Sequence, residues 1–343
     1  MGDTKRRLMQ WATGQAAGTL PDRVATIVLE NPGHLAAVVE SGLAGPETVI
    51  FVPGAAGDAG GPTVVGYDGS LSEAGAEMSI SEAFFLQTQD YGTSEYMSVI
   101  GPTAVRIFGE EDFELYLSDA DRAADEGVFA AFLTHPTVRI ADLPGLGAGP
   151  GPDGPRLRLH ARADGALSTS PAGLPLGKVG DDLPRLRAEW DRINAAGEHP
   201  CAVCLGEAVP EERRAAELAA RPWLGRYLTA LAGLQDLHAR GAADVRVSGF
   251  GGRLVPGLEG VAGPADLADP DLPLLLWTEH AAYVHQPLHR LGPARTFEVE
   301  HRAGRLAEAL LVCGSVEAAA EHDDPAGLTT VAGFFSKAGV RLT

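Results

Sequence analysis

The residues whose types and spacing come nearest to chemistry are Cys201-Ala-Val-Cys204. Two thiolates at this spacing can grip one metal ion from a single turn of chain. A closed zinc site or an iron–sulfur cluster needs four ligands, however, and this pair supplies two. His199, Cys313 and His160 are the residues that could complete a set. A redox dithiol would need a thioredoxin-type strand and helix around it, which the flanking sequence lacks. The favoured reading is two small buried residues at a tight turn, with zinc or a degenerate cluster at Cys201 and Cys204 as the alternative. Gly249-Phe-Gly-Gly252 follows a strand-like run, but the full dinucleotide fingerprint is missing and a tight turn is expected. His280, His285, His289 and His301 crowd one stretch without a metal-ligand frame such as HExxH, and strand alternation would scatter them. There is no G-x-S-x-G elbow, P-loop or kinase set. The chain therefore reads as non-catalytic. The competing class is a metal- or thiol-dependent enzyme working through Cys201 and Cys204.

Stepping outward, 343 residues with 45% hydrophobic and 21% charged content can fill two or three ordinary cores. The formal net charge of −19, with no cluster of five or more Lys or Arg, argues against nucleic acid and anionic lipid as partners. Three cysteines do not make a disulfide framework. The opening MGDTKRRLMQWATGQ has no apolar signal region, and no apolar run reaches a membrane span. The expectation is a cytoplasmic chain with no membrane partner.

The elements expected are α+β and multidomain. An N-terminal α/β region, 1–148, has strand runs at Ala25–Glu30, Glu47–Pro53, Thr63–Tyr67, Glu77–Gln89, Ala104–Phe108 and Val138–Leu143. Helices fall at His34–Gly42 and Glu110–Leu133. Pro/Gly-rich 144–155 reads as a linker or exposed loop. A mixed middle region, 156–265, has a strand at Arg156–Arg162 and a helix at Asp182–Ala195. A long helical stretch, Ala208–Arg240, is divided by Pro222, and a strand follows at Asp244–Ser248. Trp223, Leu224, Tyr227, Leu228, Leu231 and Leu234 form an apolar stripe that reads as core. A second Gly/Pro/Asp-rich boundary spans 258–273.

The last region, 272–343, holds three strands (Leu272–Trp277, Ala281–His285, Arg295–Glu300) and then three helices. The first helix ends at Gly314, the second is capped by Ser315, and the third is Gly327–Lys337 with Leu328, Val331, Phe334 and Phe335 on one side. From Ser315 onward Lys337 is the only positive charge before Arg341, so a DNA-recognition helix is not expected.

That order, with Thr296–Glu300 leading into the first helix and the break at Leu310-Leu-Val-Cys-Gly-Ser-Val-Glu317, resembles the PqqD-like recognition elements of ribosomal-peptide (RiPP) maturation. The resemblance implies a winged-helix domain that captures a precursor's leader peptide by strand addition. The groove would lie between Thr296, Phe297, Glu298, Val299 and Glu300 and the helix carrying Leu328, Val331, Phe334 and Phe335. Upstream, Ala163–Pro171, Leu176–Leu183, Trp190 and the cysteine pair resemble the SPASM-type tail of radical maturases. Ser168 and Ser170 stand where that family places cysteine, and no C-x3-C-x2-C occurs. Arg221-Pro-Trp-Leu-Gly-Arg-Tyr227 and Val247-Ser-Gly-Phe-Gly-Gly-Arg253 look similar to the RiPP recognition proteins of daptide biosynthesis. This last resemblance implies a non-catalytic subunit, without a cofactor, that presents the precursor to a tailoring oxidoreductase of alcohol-dehydrogenase type.

Overall fold

A computed structural model describes residues 2–54, 60–148, 153–197, 199, 201–267, 269–287 and 294–343. The chain is mixed α/β and forms two compact units. The first comprises Met1–Leu115, Thr137–Leu146 and Pro150–Ala220; the second comprises Tyr116–Pro136, Gly147–Gly149 and Arg221–Thr343.

In the first unit the elements run α1 (Gly2–Thr13), β1 (Thr26–Leu29), α2 (Leu35–Glu40), β2 (Val49–Pro53), β3 (Thr63–Gly69), β4 (Glu77–Ile80), β5 (Phe84–Asp90), α3 (Tyr91–Ser94) and β6 (Thr103–Arg106). Helix α4 (Glu110–Glu126) follows, and the division between the units falls within it. Then come β7 (Val138–Ile140), β8 (Arg158–Ala161), β9 (Ala166–Ser168), β10 (Gly177–Lys178), α5 (Leu183–Ala196) and α6 (Glu211–Ala220). The described strands make one ten-stranded sheet, ordered β10-β9-β8-β1-β2-β3-β4-β5-β6-β7. Strands β8, β1, β2 and β3 are mutually parallel, as are β5, β6 and β7.

Strand β1 is buried throughout, as an interior parallel strand covered on both faces should be. Its alternate residues feed two different cores. Ile27 and Leu29 join Ile50, Leu159, Val38 of α2 and Leu186 of α5. Val28 joins Phe51 and, from α1, Leu8 and Trp11. Helix α1 is an addition to the sequence expectation. Lys5, Arg6 and Arg7 make its opening look wholly polar, yet Leu8, Trp11 and Ala12 recur at helical spacing and are buried.

The second unit holds α7 (Leu224–Ala239), β11 (Arg246–Val247), β12 (Leu274–Trp277), β13 (Ala282–Gln286), β14 (Arg295–Val299), α8 (His301–Cys313), α9 (Val316–Ala319) and α10 (Pro325–Lys337). Its four strands are antiparallel in the order β11-β12-β13-β14. One sheet face, with Leu275, Val284, Phe297 and Val299, packs on Leu306 and Leu310 of α8 and on Leu328, Val331 and Phe335 of α10. The other face, with Leu276 and His285, lies against α7. Helix α7 is buried almost all round, so its apolar stripe is core. Pro222 lies just before the α7 N-cap, Trp223, rather than inside the first turn.

Several expected boundaries shift. Helix α4 stops at Glu126 because Gly127 turns left-handed. Helix α8 ends at left-handed Gly314, and Ser315 caps α9 through its hydroxyl. Glu300 is the N-cap residue of α8 and not the last strand residue. The stretch 144–155 is not an exposed connector where it is described. Pro144, Gly145 and Leu146 are buried, and the Gly145 carbonyl accepts from Arg214. Within 258–273, Leu258 and Asp266 are likewise buried.

Candidate functional site

The cysteine pair lies in the first unit beside a buried charge cluster. Asp142 accepts from Arg106 at 2.7 Å and from Arg158 at 2.6 Å, and Asp153 accepts from Arg158 at 3.1 Å. The side chains of these four residues are at most 2% exposed. The Cys201 thiol donates to the second oxygen of Asp153 at 3.2 Å. Cys204 sits 3.6 Å from the Cys201 carbonyl. Burial first, and Asp153 second, push both thiols well up from their ordinary range. Burial works to lower Arg158, but Asp153 and Asp142 outweigh it and hold it charged. Both cysteines are thus buried thiols that donate within a polar core, unlike the exposed, low-pKa setting of a nucleophilic thiolate. His160 is engaged elsewhere, 3.2 Å from Glu30. His199 is met through its carbonyl, by Arg214. Among the described residues no group of three or more His, Cys, Asp or Glu is placed to hold a metal ion.

Glu30, at the carboxyl end of β1, is a residue the sequence did not single out. It accepts from Ser72 and from the Ala163 amide, joining the segments that follow β3 and β8. The His160 imidazole, with these two donors, holds the Glu30 carboxyl at about 2 against its burial.

The glycine turn is structural. Gly251 is left-handed, and a Cβ there would lie 2.5 Å from the Gly127 nitrogen at the end of α4, so only glycine permits this approach. The turn is pinned by Glu308 of α8, which accepts from Ser248 and from the Leu254 and Val255 amides and is 1% exposed. Arg253 makes a two-pronged bond to Asp266 at 2.7 and 2.9 Å, and Arg226 lies 3.8 Å from the same carboxylate. Phe250 packs its ring 6.4 Å from both Trp223 and Tyr227. The stretches Arg221–Tyr227 and Val247–Arg253 therefore meet and form one junction.

The expected peptide-binding residues lie on β14 and α10. Strand β14 ends the sheet, and among the described residues it pairs only with β13, in the register Phe297 opposite Val284 and Glu298 opposite Tyr283. Phe297 and Val299 turn toward α8 and α10, and Glu298 is exposed. The Phe297 ring stands edge-on to Phe335 with centroids 5.7 Å apart, so strand and helix are direct neighbours. Leu328, Val331 and Phe335 are core, at 0, 9 and 1% exposure. Phe334 departs from the expected common face. It is 57% exposed, its ring 5.2 Å from that of Phe335.

Thr296 faces the opposite way and is fully engaged. Its hydroxyl donates to Asp236 of α7 at 2.6 Å and meets His285 Nδ1 at 2.8 Å. A hydroxyl has one proton, and a carboxylate can only accept. The His285 Nδ1 therefore carries a proton and donates to Thr296, fixing the tautomer. Nε2 is left as a buried atom without a partner among the described residues. Burial pulls His285 down to about 4, with Asp236 opposing. Of the other histidines, His301 stacks on Trp277 at 4.4 Å and His280 is exposed, while His289 lies outside the described residues.

Comparison with family models, with curated proteins and with solved structures gives no match to this chain. Among the described residues no helix is long and apolar enough to cross a membrane.

Proposed function

We propose that this chain is a recognition subunit of ribosomal-peptide maturation. It binds the leader of a precursor peptide as an added strand on β14 and presents the precursor to a tailoring enzyme. One observation carries the reading: β14 is an outermost strand with one pairing side unused among the described residues, and it lies directly beside α10. An extended peptide gains main-chain hydrogen bonds on such an edge, and α10 offers it an apolar wall through the exposed Phe334. The order β12, β13, β14, α8, α9, α10 is also that of the winged-helix recognition elements which the sequence resembles. The bond to Asp236 and the contact with His285 fix Thr296, holding the edge straight before any peptide arrives and reducing the ordering cost of binding.

In this reading the first unit is not the catalyst. The protonated, buried state of Cys201 and Cys204 weighs against the thiol-enzyme alternative. The tailoring partner is an oxidoreductase of alcohol-dehydrogenase type, as the daptide resemblance implies. Tethering the leader raises the effective concentration of the precursor's other end at that enzyme. The test is isothermal titration of the full chain with the precursor encoded beside its gene. Glu298→Pro removes a strand N–H and should abolish binding while the upstream unit stays folded. Unchanged affinity in that variant would sink the strand-addition reading.

A further inference from the structure

We infer that the peptide received by β14 carries an acidic side chain two positions from an apolar or aromatic one, both turned toward α10. This inference rests on the strand-addition reading and specifies its ligand. On the α10 side β14 presents Arg295, Phe297 and Val299, because side chains two apart share a face. Four groups form a continuous row there. The Arg295 guanidinium lies 5.4 Å from the Phe297 ring centre, Phe297 is 5.7 Å from Phe335, and Phe335 is 5.2 Å from Phe334. One end of the row is an exposed cation and the other an exposed ring.

Arg295 is positioned rather than loose. It donates to the carbonyl of Ala338, just past the end of α10, at 3.2 Å. That bond uses one of its five donors, and among the described residues no ion pair to a carboxylate is formed by it. Lys337 adds a second positive charge in the last turn of α10. In a chain of net charge −19 this is an unusual end for a groove, and it complements a carboxylate. The opposite face of β14 carries one exposed negative charge, Glu298; Asp236, which accepts from Thr296 there, is itself paired with Arg240. A side chain between the acid and the apolar residue points to that face, so a second acid at the intervening position is repelled. The recognised pattern is acid, any non-acid, apolar, read in one direction or the other according to which way the peptide runs.

The experiment uses the full chain and a displayed library of random linear peptides, selected in parallel against the native protein, Arg295→Glu, Arg295→Lys, Phe334→Ala and Glu298→Pro. The native protein is expected to enrich Asp or Glu two positions from Leu, Ile or Phe. Synthetic copies of the enriched peptides should bind Arg295→Glu about tenfold more weakly, as expected for reversing one charge contact. Arg295→Lys should retain most of the acid preference. Phe334→Ala should lose the apolar preference and keep the acidic one. Circular dichroism shows whether each variant is folded. Enrichment without an acid preference, or an acid preference that survives Arg295→Glu, overturns the inference and leaves strand addition standing. Peptides that bind Glu298→Pro as well as the native protein overturn the strand-addition reading itself.

Discussion

The two regions that drew attention in the sequence use polar groups in opposite ways. Around Cys201 and Cys204 the first unit turns two arginines, two aspartates and two thiols inward and joins them to one another. At β14 and α10 the second unit turns a strand edge, an arginine and a phenylalanine outward and leaves them available. The cysteine pair has the residue types of chemistry and the setting of a core. The strand has unremarkable residue types and the setting of a sheet edge. Residue type alone does not separate the two; they differ in burial and in partners.

The contrast can be broken most severely at Asp142. Asp142→Asn removes the carboxylate shared by Arg106 and Arg158, leaving the buried Arg106 guanidinium uncompensated while Arg158 keeps Asp153, and should cost about 3–5 kcal/mol. Urea denaturation followed by tryptophan fluorescence reads this, and a loss below about 1 kcal/mol would mean water reaches the cluster. The neighbours Phe335 and Phe334 give a sharper internal contrast. Phe335→Ala, in the core, should destabilise by about 3–5 kcal/mol. Phe334→Ala should change stability by less than about 0.5 kcal/mol while weakening peptide binding. Equal stability losses in the two variants would remove the case for an exposed ring.

Acidity tests the inward side of β14. His285 titrates at about 4 in the folded chain and near 6.5 when unfolded. Its contribution is present above pH 6.5 and is lost as pH falls toward 4, because the unfolded chain takes up the proton first. The loss over that whole range should be of the order of 3 kcal/mol, and His285→Gln should reduce the difference between melts at pH 7 and pH 5 by about 2 kcal/mol. His160, also buried and lowered, titrates in the same direction, so the comparison with His285→Gln isolates the second unit. A variant with the native pH dependence would show that burial of His285 does not govern the acid sensitivity. The smallest effect concerns thiol reactivity. Cys313 is partly exposed and should react with a thiol reagent in the folded protein, while Cys201 and Cys204 stay silent until denaturant is added.

Much of the element order was legible because the signals are local. The β-branched runs at Thr26–Leu29 and Val49–Pro53, the Ser315 cap and Gly314 each act over a few residues. Long-range matters were not. Nothing near Arg158 announces that β8 pairs with β1, about 130 residues earlier, or that Arg158 shares Asp142 with Arg106. The Pro/Gly composition of 144–155 reads as freedom, whereas small residues there allow close packing against Cys204 and Leu205. The shared face of Phe297 and Val299 on β14 was legible, since residues two apart in a strand lie on the same side. Phe334 was misplaced because adjacent Phe334 and Phe335 cannot share a helix face, and the sequence does not say which of them turns inward.

The outer edge of β14 also bears on how one copy of the chain would meet another. A bare strand would accept the same strand of another copy as readily as a ligand, which is the usual beginning of edge-to-edge aggregation. Strand β14 is five residues long, with Arg295 exposed at its start and Glu298 exposed near its end. Two copies meeting in parallel register would place each of these charges against its own kind. Parallel self-pairing is therefore disfavoured, and raising the salt concentration should weaken that disfavour.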